Sequence, residues 1–168
     1  MKSLNFFFYL FVILIKSQFL YADNIALLDI NFIINNSIIG QKTLKDISLI
    51  NQENLTILKE EQLKLGKEKS KIESKKNIIS KDQYQIELTS LNDKINEFKQ
   101  KQDKMSLEFN ELNKNKMNEL LKKINPIIQQ YMVRNEVKIV FNKESAYVSL
   151  SDSDITDDIL KLIDDVFK

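Results

Sequence analysis

A seven-residue apolar repeat governs what this chain can fold into. Leu44, Leu58, Leu65, Ile72 and Ile79 stand in one such row, with Asn51 its polar member. Farther on, Tyr84, Leu91, Phe98, Met105 and Leu112 form a second row, joined four places on by Leu88, Ile95 and Phe109. That spacing on helix-forming residues predicts coiled-coil helices. The second row does not continue the first, because the residue seven past Ile79 is Ile86, not Tyr84. The repeat resets between them, and Ser80-Lys-Asp-Gln83 fits there as a capping box that opens a new helix. The expected structure is an antiparallel helical hairpin over residues 41–131, with its tip near 75–82. Each arm would reach roughly 55 Å at about 1.5 Å per residue.

The first arm is thin. Its second seam position is expected at Gln62, Lys69 and Lys76, which leaves one apolar stripe. One stripe suits a slender two-helix arm in water. Gly66 lies inside it and costs about 1 kcal/mol relative to alanine. The second arm broadens on its return, through Leu120, Leu121, Ile124, Ile127, Ile128 and Tyr131. Pro126 costs about 3 kcal/mol within a regular helix, so a fresh segment capped by Asn125, or a kink, is expected there. Asn135 is expected to end the helix in a left-handed conformation.

The two ends of the chain supply a small body, residues 23–40 and 132–168. Ile25 to Leu28 reads as a buried strand, and Asp29 as the cap of a short helix carrying Ile30, Ile33 and Ile34. Phe32 is expected in the core, with a partner-facing position as the alternative, and Gly40 in a turn into the arm. Val137 to Phe141 and Ala146 to Leu150 read as two strands of a β-hairpin joined by the turn 142–145. A final helix follows, capped by Asp154 or Thr156, with Ile155, Ile159, Leu160, Ile163, Val166 and Phe167 on its buried face. The fold class is therefore α+β: a long antiparallel helical hairpin projecting from a small β-rich body with a C-terminal helix. So small a body, without cysteine or metal ligands, needs another staple, and oligomerisation is the one left. Ile25, Leu27, Val137, Ile139, Phe141, Val148 and Leu150 are the candidate oligomerisation residues.

Composition narrows the function. The chain has no His and no Cys, which removes most metal sites, thiol chemistry and the usual general base. No cofactor is expected, and no enzyme. Asp152, Asp154, Asp157 and Asp158 cluster, but at a helix N-terminus they serve as caps and dipole partners. Calcium is the alternative there, without the EF-hand spacing. Between Lys64 and Lys81, seven lysines (64, 67, 69, 71, 75, 76, 81) stand against Glu68 and Glu73. The distal end of the hairpin is thus basic, whereas residues 144–168 are acidic. Such a tip suits anionic lipid head groups or acidic polypeptide stretches; the plainer alternative is a solvated lysine-rich helix end.

At the N-terminus, Lys2 precedes a short apolar run ended by Lys16. The run is shorter than the ~20 residues a membrane-spanning helix needs. With Ala22 as a small cleavage residue, residues 1–22 read as a secretory signal peptide. The alternative is an uncleaved anchor. Without Lys2 and Lys16, the 25 basic and 24 acidic residues leave a net charge of −1. That balance argues against a nucleic-acid-binding surface.

The two ends also carry a resemblance. Ile25-Ala-Leu-Leu-Asp29, then a short helix ending at Asn35-Asn-Ser37 and Gly40, resembles the opening of the OmpH/Skp family of periplasmic chaperones. The 137–141 strand, Ala146-Tyr-Val-Ser-Leu150 and Asp154-Ile-Thr-Asp-Asp-Ile-Leu160 resemble its close. The resemblance implies a periplasmic homotrimer whose hairpins enclose unfolded outer-membrane proteins and prevent their aggregation without ATP. It also implies contact with lipopolysaccharide or anionic lipid. This chain departs from the strongly basic best-known member in being near neutral and basic only at the tip. The alternative function is a coiled-coil spacer or tether of the cell envelope that binds no client.

Overall fold

The computed structural model describes residues 24–148 and 151–168. The expected leader over 1–22, its cleavage after Ala22, and Leu150 lie outside the described residues. What is described is an α+β chain: two long antiparallel helices, a two-stranded sheet and a C-terminal helix.

β1 (Ile25–Leu28) leads into α1 (Ile30–Asn36). The Asp29 carboxylate caps α1 by accepting the Phe32 N–H at 2.7 Å. Ser37 ends α1 and starts α2 (Ile38–Ser74). It is fully buried, and its hydroxyl accepts the Gly40 N–H at 3.1 Å. α3 runs from Lys81 to Arg134, and the Ser80 hydroxyl caps it by accepting the Gln83 N–H at 3.2 Å. At about 1.5 Å per residue, the 37 residues of α2 span roughly 55 Å. The 54 residues of α3 carry it past the start of α2 and into the body.

β2 (Ile139–Asn142) pairs with β1 in parallel, Ile25 opposite Ile139 and Leu27 opposite Phe141. Among the described residues the expected hairpin is therefore not formed. After a 3-10 turn at Lys143–Ser145, residues 146–148 are not a strand, and Tyr147 and Val148 stand in solvent. The free edge of β1 is taken by the segment before the last helix: the Ile155 N–H donates to the Leu27 carbonyl at 3.0 Å. α4 (Thr156–Phe167) closes the body.

The core gathers Ala26, Leu28, Ile33, Leu120, Ile124, Ile155, Ile159 and Ile163. It is mostly helical, and α3 supplies Leu120 and Ile124. The body is thus not built from the chain ends alone; the root of the arm is part of its core. Ile155, Ile159 and Ile163 recur at four-residue spacing and give α4 one buried face. Val166, expected on that face, is exposed, as is Phe32.

Three backbone expectations are corrected. Gly40 forms no turn; it lies in the first turn of α2, where an added Cβ would stand 2.1 Å from the Ile34 carbonyl oxygen. Its role is close approach of α2 to α1, not unusual torsion. Pro126 lies inside α3, so no fresh segment capped by Asn125 begins there. Pro126 and Lys122 are both exposed, so the missing helical N–H donor falls on the outer face of α3. The left-handed residue after α3 is Glu136 (φ 57°), not Asn135. The Val137 N–H reaches back to the Met132 carbonyl at 2.9 Å, the six-residue closure of a Schellman turn.

Candidate functional site

The arm carries a pattern that the apolar repeat conceals. At three levels an ion pair crosses between α2 and α3. Glu61 meets Lys101 at 2.5 Å, Glu68 meets Lys94 at 2.6 Å, and Lys75 meets Glu87 at 3.0 Å. Successive rungs are seven residues apart on both helices, as an antiparallel pair of heptad helices requires. The second seam position of α2 is therefore Asn54, Glu61, Glu68 and Lys75, all half-buried, and not Gln62, Lys69 and Lys76, which are exposed. Ile72 and Leu91, one on each helix, are buried at about the level of the Glu68–Lys94 and Lys75–Glu87 rungs. The signal for the ladder is in the sequence as opposite charges at seven-residue intervals on the two helices, legible only once the pairing register is known.

The lysines of the distal arm do not form one patch. Lys64, Lys67, Lys71 and Lys75 follow one face of α2 at helical spacing. Lys69 lies around the helix, Lys76 follows its end in the turn, and Lys81 is the first residue of α3. Lys75 is committed to Glu87, and Lys69 lies 4.0 Å from Glu73. Lys67, Lys71 and Lys75 line an open groove of about 530 Å3 together with Ile72, Ile86 and Ser90. Two apolar residues in this region are exposed and belong to neither apolar row: Ile86, in the wall of the groove, and Ile78, 80% exposed, in the turn at the tip. Farther down α2, Leu49, Leu55, Ile57 and Leu63 are also exposed.

The body presents a second surface. In a parallel pair, opposed residues share a face. Ala26 and Val140 turn toward the core; Ile25, Leu27, Ile139 and Phe141 share the other side. Of these only Leu27 is buried, while Ile25 (46%), Ile139 (45%) and Phe141 (50%) are exposed. Among the described residues, the outer edge of β2 has no strand partner. Val137 packs against the core from outside the strand, and Val148 stands apart in solvent.

Polar groups tie this body together. The Thr156 hydroxyl accepts the Asp29 N–H at 2.9 Å and donates to Asp154 Oδ1 at 2.6 Å. Lys143 Nζ meets Asp154 Oδ2 at 2.6 Å. Partial burial pushes the Asp154 carboxyl up, but hydrogen bonds from Lys143 and Thr156 and the Lys143 charge outweigh it, so its pKa lies below the usual value. The same pairing raises the Lys143 pKa. Burial, then the hydrogen bond to Asp158, raises that of Tyr131. Asp164 on α4 accepts the Ile38 N–H at 2.8 Å, so the last helix caps the first helix of the arm. Among the described residues, no group of three or more His, Cys, Asp or Glu could hold a metal ion. No helix there is long and apolar enough to cross a membrane.

A long hairpin rooted in a small body matches a known family. The family model described as outer membrane protein (OmpH-like) matches residues 24–163. The chain belongs to the OmpH-like family. Among solved structures, this OmpH-like chain is similar to one from Caulobacter crescentus CB15 described as an outer membrane chaperone (OmpH-like). The TM-score is 0.77 at 19% sequence identity, and the match covers 85% of each chain. That likeness concerns the fold. No curated protein matches the chain. The family span takes in both strands, the whole arm and α4 as far as Ile163, so all surfaces described above fall within it.

Proposed function

We propose that this OmpH-like protein is a chaperone of the periplasm, an ATP-independent holdase for unfolded outer-membrane β-barrel proteins. The observation that carries the reading is the pairing of a projecting arm with a body whose sheet leaves Ile25, Ile139 and Phe141 in solvent. A body that shows apolar residues beside an unpaired strand edge is suited to assembly with copies of itself. In this reading the assembly is a homotrimer, the arms surround a cavity, and the client is held by many weak contacts. Exposed leucines and isoleucines of the arm supply apolar contact. Lys64, Lys67, Lys71, Lys76 and Lys81 supply charge for acidic stretches and for anionic lipid or lipopolysaccharide at the tip. Enclosure needs no catalytic group, which agrees with a sequence that has no His and no Cys. The leader over 1–22 would deliver the chain to the periplasm and be removed after Ala22.

The test is the mass of the protein in solution, alone and with a urea-unfolded outer-membrane β-barrel protein diluted into buffer. A trimer that keeps the client in a soluble complex of defined stoichiometry is expected. An oligomer that lets the client precipitate would leave a spacer or tether as the function.

A further inference from the structure

Apolar packing does not hold the arm evenly. On α2, no described residue between Ile47 and Ile72 is buried. On α3, none is buried between Leu91 and Leu120. The arm is therefore pegged near the body and again at Ile72 and Leu91, with a long interval between. Gly66 falls in that interval, where an added Cβ would meet nothing within 4 Å. Two of the three ion-pair rungs, Glu61–Lys101 and Glu68–Lys94, fall there too.

We propose that the middle of the arm is an ionic clasp: these two rungs hold the helices together and in register where apolar packing is thin. The clasp loosens as ionic strength rises, while the pegged ends stay closed. Two physical arguments support it. Ion pairs this accessible are screened by salt, whereas apolar contacts are not. The charges also resist a displacement that the apolar rows would tolerate. Sliding one helix by seven residues keeps every apolar residue on the seam. It would, however, set Glu68 against Glu87 in one direction and Lys75 against Lys94 in the other, because the third rung has its signs reversed. Loosening would turn Leu58, Leu65, Phe98 and Met105, now half-buried, toward water. The clasp is a property of the arm itself and requires no client.

The test is amide hydrogen exchange of the purified protein, without client, at about 0.01 M and about 1 M salt, where the Debye length is about 30 Å and 3 Å. Peptides over 54–68 and 94–108 should exchange roughly three- to tenfold faster in high salt, while those over 40–47 and 117–124 hold constant. At low salt, Glu68→Lys alone should speed the same peptides. Adding Lys94→Glu should restore protection, since the pair re-forms with its signs exchanged. Mid-arm exchange indifferent to salt, a uniform response along the whole arm, or a double variant no better protected than the single one would each overturn the clasp.

Discussion

Gly40 and Gly66 lie on the same helix and answer to different constraints. At Gly40 a methyl group would stand 2.1 Å from the Ile34 carbonyl oxygen and 2.7 Å from Ser37 Oγ, neither of which can withdraw without disturbing a helix end. Gly40→Ala should destabilise the protein by about 1–3 kcal/mol, as overpacking does. Gly66 faces open space in a helix interior, so Gly66→Ala should stabilise by roughly 0.5–1 kcal/mol. Urea unfolding of both variants at one fixed protein concentration gives the two signs directly; equal effects would show that glycine matters at both sites for the same reason. Such distinctions are invisible in a sequence. A glycine after Asn35-Asn-Ser37 looks like a turn, because tolerance of odd torsions and lack of a side chain leave the same letter. Glu136 is the converse: it adopts the left-handed conformation beside an asparagine better suited to it, since the Val137 N–H closes on Met132 only from that position.

Elements were legible in proportion to their periodicity. The hairpin followed from two apolar rows that do not share a register, and the Ser80 cap from one hydroxyl and one glutamine. The polar row of α2 stands at Glu61 and Glu68 rather than Gln62 and Lys69, because a helix alone does not reveal which neighbour of its apolar row faces the partner; three-residue and four-residue offsets are both permitted. The short strands carry the least periodic signal. Val137 to Phe141 alternates in part, but its partner is β1, more than a hundred residues away and parallel, which local pattern cannot indicate. The junction of these elements rests on Asp154, which faces Lys143 on the turn after β2 and Thr156 at the start of α4. Its pKa is lowered in the folded protein. The stability it contributes is therefore present above its unfolded value of about 3.9 and is lost as pH falls through the folded one. Asp154→Asn should cost about 1 kcal/mol at neutral pH. The difference from the unaltered protein should shrink once the pH drops below about 4. Urea midpoints measured across that range decide it; a gap that persists undiminished in acid would mean that the carboxylate charge is not what joins the elements.

For the whole molecule, the issue is what covers the outer side of the sheet. A monomer would leave Ile25, Ile139 and Phe141 in water beside a strand edge that no described residue pairs, while the core behind that sheet draws on only a few residues from each helix. Small bodies of this kind gain stability by burying such a face against another copy. Phe141 is the largest of the three and would stand nearest the centre of a contact made through Leu27 and its neighbours. Phe141→Asp should then weaken self-association at least tenfold, because truncating a central aromatic anchor commonly costs 2 kcal/mol or more and a buried charge adds to it. Helical content should survive, since Phe141 lies outside the core cluster. Ile78→Asp is the matched control: Ile78 is more exposed than Phe141, but it sits at the arm tip, so removing its apolar surface should leave the assembly unchanged. Sedimentation of both variants over a range of concentrations separates the cases. Loss of assembly in Phe141→Asp alone would place the interface on the sheet; loss in both would point to general apolar adhesion; loss in neither would move the assembly surface off the sheet and leave its exposed side to bind something other than a second copy.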